Sequence, residues 1–556
     1  MKRILSISMF ALSACMLMAM PAKRDGVPRV MDDGTVVTVY LHGDESFHYT
    51  TLADGTFVRE NAEGRMVRTE TLTEEQISER FENSKIRRMR QITDKATPLN
   101  IAPRGLIILV SYSDVKIKEE NTLEEFRQMH NGENYTNNGA TGSARQYFID
   151  QSMGKYKPQF DVVGPVTLEN TQSYYGKNST QGDDMHATDM IAEACKLADQ
   201  QFDVNFAEYD NDNDGEVDFV YVIYAGFGEA DGGGDNTVWP HAYWLWKYHG
   251  EIAGNIDLQL DGKRINTYAC SSELDYTTQG LSGIGTFCHE FSHVLGLPDL
   301  YATNNATHAT LGSWDILDYG PYNNHGKTPP AYSAYERFFM GWLKPVLLTE
   351  DAQVVLDELK ECNCAGIITA DGTSNLIGND PNPLEFFMIE NRQKTGWDKP
   401  LKGHGMMLTK VKYSYTKWYN NTVNNQKANM GVDIIEANGK TSQTGRSTDL
   451  YPAGANMVTP YENYPLTNIA ESEDGIITFD FMSGGNGKIV NISKLSNGIE
   501  DIVASTEQDA TVVRKVLLDG EIYIIRDGKI YTILGALLID NQAITPPTHT
   551  YNNTMR

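Results

Sequence analysis

The sequence predicts an α+β fold: a mixed sheet carrying one functional helix, with β-rich segments on either side. Three observations predict it. First, "GLIILVSYSD" (105–114), "FDVVGPVTL" and "DFVYVIYAG" are short apolar runs suited to buried strands. Second, "GIGTFCHEFSHVLG" has a helical pattern that ends at Gly296. Third, alternating runs such as "TVVTVYLHGD" and "TFVREN" carry Asp-Gly pairs at 33–34 and 54–55, the mark of β-hairpins.

Taken in order, the chain opens with "MKRILSISMFALSACMLMAMPAKR". Lys2 and Arg3 precede an apolar run, and Pro21 and a polar chain follow it. Residues 1–22 are therefore expected to be an export signal, and the alternative is a buried N-terminal helix. "LSAC", ending at Cys15, also resembles a lipoprotein cleavage box, so lipid anchoring at Cys15 is a second way to reach the cell surface. No other run is long and apolar enough to cross a bilayer. Residues 23–103 follow as the hairpins, a charged helical stretch at 73–92 and the linker "TDKATPLNIAPR". The expected catalytic domain spans 104–345. Within it, Ser143 is placed to cap the helix that begins "ARQYF". A β-rich continuation covers 346–483, and "GGNGK" (484–488) marks a boundary. Residues 484–556 read as a small β module with Asp-Gly turns at 519–520 and 527–528.

Composition narrows the function. The 556 residues exceed what one ordinary core holds. The net charge of -27 argues against nucleic acid as a partner and suits an exported protein. Six cysteines in so long a chain are not a disulfide framework. Cys362 and Cys364 stand too close along the chain to be expected to bridge each other without strain.

"HEFSHVLGLPDLY" (289–301) carries the chemistry. On a helix His289 and His293 stand one turn apart on one face, the spacing that lets two imidazoles share a zinc ion. Glu290 lies beside them, placed to polarise the attacking water. The bland alternative is a surface helix with two solvated histidines. Gly296 can take a left-handed conformation and Pro298 stiffens the return, so Asp299 can reach the same metal as a third ligand. Otherwise Asp299 is a turn residue.

HExxHxxGxxD resembles the metzincin pattern, with aspartate in place of its last histidine. "GTFCHEFSHVLGLPDLY", "LGSWDILDYGPYN", "PPAYSAYERFFMGWLKP" and "FFMIENRQKTGWDKPLKGHGMML" together resemble the immune-inhibitor-A-like metalloproteases. "GATGSARQYF", "FDVVGPV" and "YDNDNDGEVDFVYVIYAG" do so too, and the likeness runs from about residue 30 to 483. It implies a secreted zinc endopeptidase with a metzincin-like catalytic domain, made as a zymogen whose pro-segment is 23–103. It also places Leu317 where the family more often has a methionine beneath the metal, a departure that leaves an apolar floor but unsettles its packing. Tyr319 then stands where some metzincins have a tyrosine that binds the metal or the oxyanion; ordinary packing is the alternative. Trp314, Asp315 and Glu336 are expected to be structural. The final segment resembles C-terminal sorting domains of exported bacterial proteins, which implies export machinery as a partner; a small binding module is the alternative.

"DNDNDGEVD" puts Asp210, Asp212, Asp214 and Asp218 at calcium-loop spacing, with Gly215 at the sharp turn and Glu216 offering its carbonyl. Tyr221 stands where the bidentate glutamate would be. A structural calcium is expected, and a solvated acidic turn is the alternative. The leading function is thus an endopeptidase acting on proteins or peptides. The competing readings are a zinc hydrolase of a non-peptide bond and a surface adhesin with a vestigial metal site.

Overall fold

A computed structural model describes residues 18–80 and 102–496, apart from positions 45–46, 62, 74, 78–79, 180–182, 249–250, 253, 305 and 443, together with four strands between 513 and 540. The body of the expected export signal, most of the charged stretch at 73–92, the linker and the two late Asp-Gly turns lie outside the described residues. Among the described residues no helix is long and apolar enough to cross a membrane. The chain parts into two compact units, residues 1–501 and 502–556.

The first unit is mixed α+β, as its strand patterns predict. Its central sheet has six strands. Gln159–Thr167, Arg104–Ser111, Val220–Phe227 and Thr267–Leu274 lie parallel and side by side. These apolar runs are covered on both faces, which is why they read as continuous rather than alternating. His241–Trp244 runs antiparallel to Thr267–Leu274, and the short strand Met18–Ala19 pairs antiparallel with it at the sheet's edge. Ser143 caps the helix Ala144–Gln151 by accepting a hydrogen bond from Gln146 N.

Residues 27–68 form a separate five-stranded antiparallel sheet. Gly34 and Gly55 supply the positive φ its turns need (86° and 83°), and Asp33 and Asp54 close those turns on the amides of Thr35 and Thr56. This sheet docks through His48, which is half-buried, 2.9 Å from Glu229 and stacked on Trp239. Burial alone would lower the His48 pKa; the Glu229 and Asp235 carboxylates outweigh it and hold the pKa at about 9.

Beyond residue 345 lie two five-stranded sheets, but they are no separate body. One apolar core joins Ile107, Phe160 and Phe287 to Trp397, Trp418 and Leu450. The break expected at 484 falls later. Ile489–Asn491 pairs in parallel with Ala352–Leu356 and belongs to the sheet before it. A second expectation also needs correcting, because Cys362 and Cys364 are bonded to each other. Asn363 between them adopts the left-handed region (φ 45°, ψ 46°), and the two Cα atoms stand 5.1 Å apart, inside the ordinary range for a disulfide. Cys195, Cys270 and Cys288 are buried thiols. The second unit contains the strands Val513–Leu518, Glu521–Arg526, Lys529–Thr532 and Leu537–Asp540, each antiparallel to the next.

Candidate metal centre

The site grows from the helix Gly285–Val294. One face of it is aromatic: Phe287 and Phe291 pack on Phe160 and Phe219 from the central sheet and its approach. The opposite face carries His289, Glu290 and His293. Gly285 lets the turn at Pro321 press on the helix start, since a Cβ there would lie 2.0 Å from the Pro321 carbonyl oxygen. Gly296, at φ 97°, reverses the chain after the helix, and Asp299 comes back to the histidines.

His289 Nε2 and His293 Nε2 are 3.1 Å apart, and Asp299 Oδ1 is 3.3 Å from each. All three side chains are fully buried. Donors about 2.0–2.1 Å from a tetrahedral zinc stand roughly 3.3 Å from one another, so this triangle is of the size zinc requires. The electron pairs agree. His289 Nδ1 faces the Ile316 carbonyl and His293 Nδ1 the Leu297 carbonyl, each at 2.8 Å. Each ring carries its proton on Nδ1 to make that bond, which leaves a lone pair on Nε2. Burial pushes the His289 pKa down and favours the neutral ligand form. Asp299 Oδ1 has no hydrogen-bond donor. Three lone pairs therefore converge in a buried place, an arrangement that needs a cation at its centre.

The supporting groups come from far along the chain. "WDILDYG" delivers the Ile316 carbonyl to His289, and its Leu317 is fully buried in the apolar core, with its carbonyl accepting from Leu300 N at 2.7 Å. Asp315 holds the turn by accepting from Leu317 N at 2.8 Å, and Glu336 closes a capping box with Ser333. Sequence reasoning missed Asn421. Its Nδ2 donates to Asp299 Oδ2 (2.6 Å) and its Oδ1 accepts from Asp299 N (2.7 Å), both buried. It lies in "WYNNTVNN", one polar loop among many, and no local pattern singles it out.

Tyr319 is half-buried beneath the Arg24 guanidinium, 3.7 Å from the ring centroid. Its ring thus faces the N-terminal segment, and burial raises its pKa while Arg24 opposes the rise. That segment runs through the site. Met20 N donates to Glu290 Oε1 at 3.1 Å. Trp239 Nε1 donates to Met20 O and Tyr322 Oη to Pro21 O, at 3.0 and 2.8 Å. Met18–Ala22, the expected tail of the export signal, therefore lies across the candidate base.

In the acidic loop the structure brings Asp210, Asp212 and Asp214 together. Asp210 accepts from Gly215 N and pairs with Lys263 at 2.6 Å. Asp218 turns instead to Asn211, and the Glu216 carboxylate reaches Arg264 at 3.5 Å.

The region that supplies His289, Glu290, His293 and Asp299 also matches a known family. Residues 105–343 match the immune inhibitor A peptidase M6 catalytic domain. Over those residues the chain is similar to the catalytic domain of the immune inhibitor A peptidases. A pre-pro-metalloprotease, PrtV, of Vibrio cholerae is 29% identical over 231 residues, covering 38% of this chain and 24% of PrtV. Immune inhibitor A of Bacillus thuringiensis subsp. alesti is 26% identical over 274 residues, 42% of this chain and 39% of that protein. The chain thus spans well under half the length of these relatives in the matched region.

Proposed function

We propose that the chain is an exported zinc endopeptidase, with a metzincin-like catalytic domain, made as a zymogen. The observation that carries this reading is the buried His289–His293–Asp299 triangle beside Glu290. Zinc held by these three groups would supply Lewis acidity to a peptide carbonyl. Glu290 takes a proton from the attacking water and passes it to the leaving amine. A purely structural metal site has no use for such a base, which disfavours the adhesin reading. The names of the relatives support a metallopeptidase, and the covered Glu290 supports latency. Residues 23–103 contain no cysteine, so a thiolate from that pro-segment is not what would hold the metal in a latent form. We further propose a role for Tyr319 in the site once Arg24 leaves it, export by way of the N-terminal signal with the C-terminal module as a sorting domain, and a structural calcium at Asp210, Asp212 and Asp214.

The experiment is casein hydrolysis by the purified full chain, before and after limited trypsin, with and without a zinc chelator. Trimming within 85–104 should activate it, a chelator should abolish the activity, and thiol-reactive mercurials should not activate it. Equal activity before and after trimming would remove the zymogen; no chelator-sensitive hydrolysis in either form would remove the peptidase.

A further inference from the structure

The chain's own residues 18–24 lie along the cleft as a peptide would. Met18 and Ala19 pair antiparallel with Ala242 and His241 of the strand His241–Trp244. The Met20 amide nitrogen sits on Glu290, where a leaving amine would collect its proton. The following carbonyls are taken by Trp239 and Tyr322, and Lys23 N donates to Ala230 O at 3.0 Å. Counted from the nitrogen on Glu290, Lys23 is the fourth residue on the leaving side.

The Lys23 side chain ends in a built pocket. Its Nζ is 2.5 Å from Asp231 Oδ1, 2.8 Å from Thr277 Oγ1 and 3.6 Å from Asp275 Oδ2. Both carboxylates are held in place from behind: Asp231 Oδ2 accepts from Tyr276 N at 2.6 Å and Asp275 Oδ1 from Thr278 N at 2.7 Å. All three charged side chains are at most 13% exposed. His325, 3.6 Å from Asp275, is more exposed and sits on the other side of that carboxylate's partner set. Withdrawing Lys23 would leave two neighbouring carboxylates buried beside each other, which is costly without a replacement cation.

We infer that Asp231, Asp275 and Thr277 form a substrate pocket for lysine or arginine at the fourth leaving-side position, filled here by the chain's own Lys23. The inference rests on the peptidase reading and deepens it. A peptide laid in the same direction on the strand His241–Trp244 replaces residue 23 with its own cation, and the ion pair then selects among substrates. In the full chain the same pocket anchors the covering segment.

The test uses the zinc-loaded chain with Lys23→Ala, which vacates the pocket, after limited trypsin has cut within 85–104 and freed the cleft. Labelled fluorogenic peptides Ala-Met-Pro-Ala-Xaa-Arg carry Lys, Arg, Ala or Glu at Xaa. Fluorescence anisotropy reads binding, and hydrolysis is followed separately. The Lys and Arg peptides should bind at least roughly tenfold more tightly than Ala, as expected for a buried hydrogen-bonded charge pair, and Glu should bind worst. Adding Asp231→Asn and Asp275→Asn should erase the ranking in binding. Equal binding of all four peptides, binding of none, or a ranking that survives both Asn substitutions overturns the pocket. A lysine ranking in binding without any hydrolysis would overturn the peptidase reading and leave the pocket standing.

Discussion

Replacing Asn421 should loosen the metal without touching a metal ligand. Asn421 makes two buried hydrogen bonds to Asp299, one to its carboxylate and one to its amide. Asn421→Ala removes both and leaves Asp299 free to rotate away from the histidines. Losing such an outer partner costs about 10–100-fold in metal affinity. That is about 1.4–2.7 kcal/mol. The metal-free protein should also lose stability, because the stranded donor and acceptor cost about 1–3 kcal/mol each when buried. Asn421 has φ 50°, so alanine adds a backbone penalty of its own, roughly 1 kcal/mol. Asn421→Gly removes that penalty and isolates the side-chain effect. Asn421→Asp sets a carboxylate against Asp299 and should be the worst of the three. The assay is competition for zinc with a chromophoric chelator, alongside thermal unfolding of the metal-free chain. Wild-type zinc affinity in Asn421→Gly would refute the claim that Asn421 aims the third ligand.

Glu290→Gln should keep zinc and fold but lose hydrolysis by about 10²–10⁴-fold; single-turnover assays at matched zinc content check this. Asp299→Ala should weaken zinc as strongly as His293→Ala, and unchanged zinc affinity would make Asp299 a turn residue only. His48 has its folded pKa raised to about 9, so its contribution is present in full below pH about 6.5 and is lost as pH rises through 9. His48→Gln should therefore lower the melting temperature most at about pH 6.5 and just below, with the gap from wild type closing by about pH 10; a gap constant across that range would exclude the ion pair as its source. Millimolar calcium should raise the melting temperature of wild type but not of Asp212→Ala with Asp214→Ala. Equal shifts in both would refute a calcium site in this loop.

What the sequence determined by itself was local. Helical periodicity alone places His289, Glu290 and His293 on one face, because three and four residues complete a turn. Gly296 and Pro298 make the return to Asp299 readable, and Asp-Gly pairs announce the hairpins of residues 27–68. Apolar runs mark the parallel strands, since both faces of that sheet are covered. The disulfide was misread because its feasibility depends on the backbone of Asn363, not on spacing. The boundary at 484 was misplaced because "GGNGK" looks like a linker, whereas Ile489–Asn491 finds its partner strand more than a hundred residues earlier. Only the tertiary structure decided which distant groups complete the site. Asn421 reaches Asp299 across 122 positions, and Met20 reaches Glu290 across 270. The Lys23 pocket is likewise assembled from two separate loops. A polar residue that acts through a long-range hydrogen bond leaves no periodic trace in its own neighbourhood, so its partner is fixed by how the core packs and not by the residues beside it.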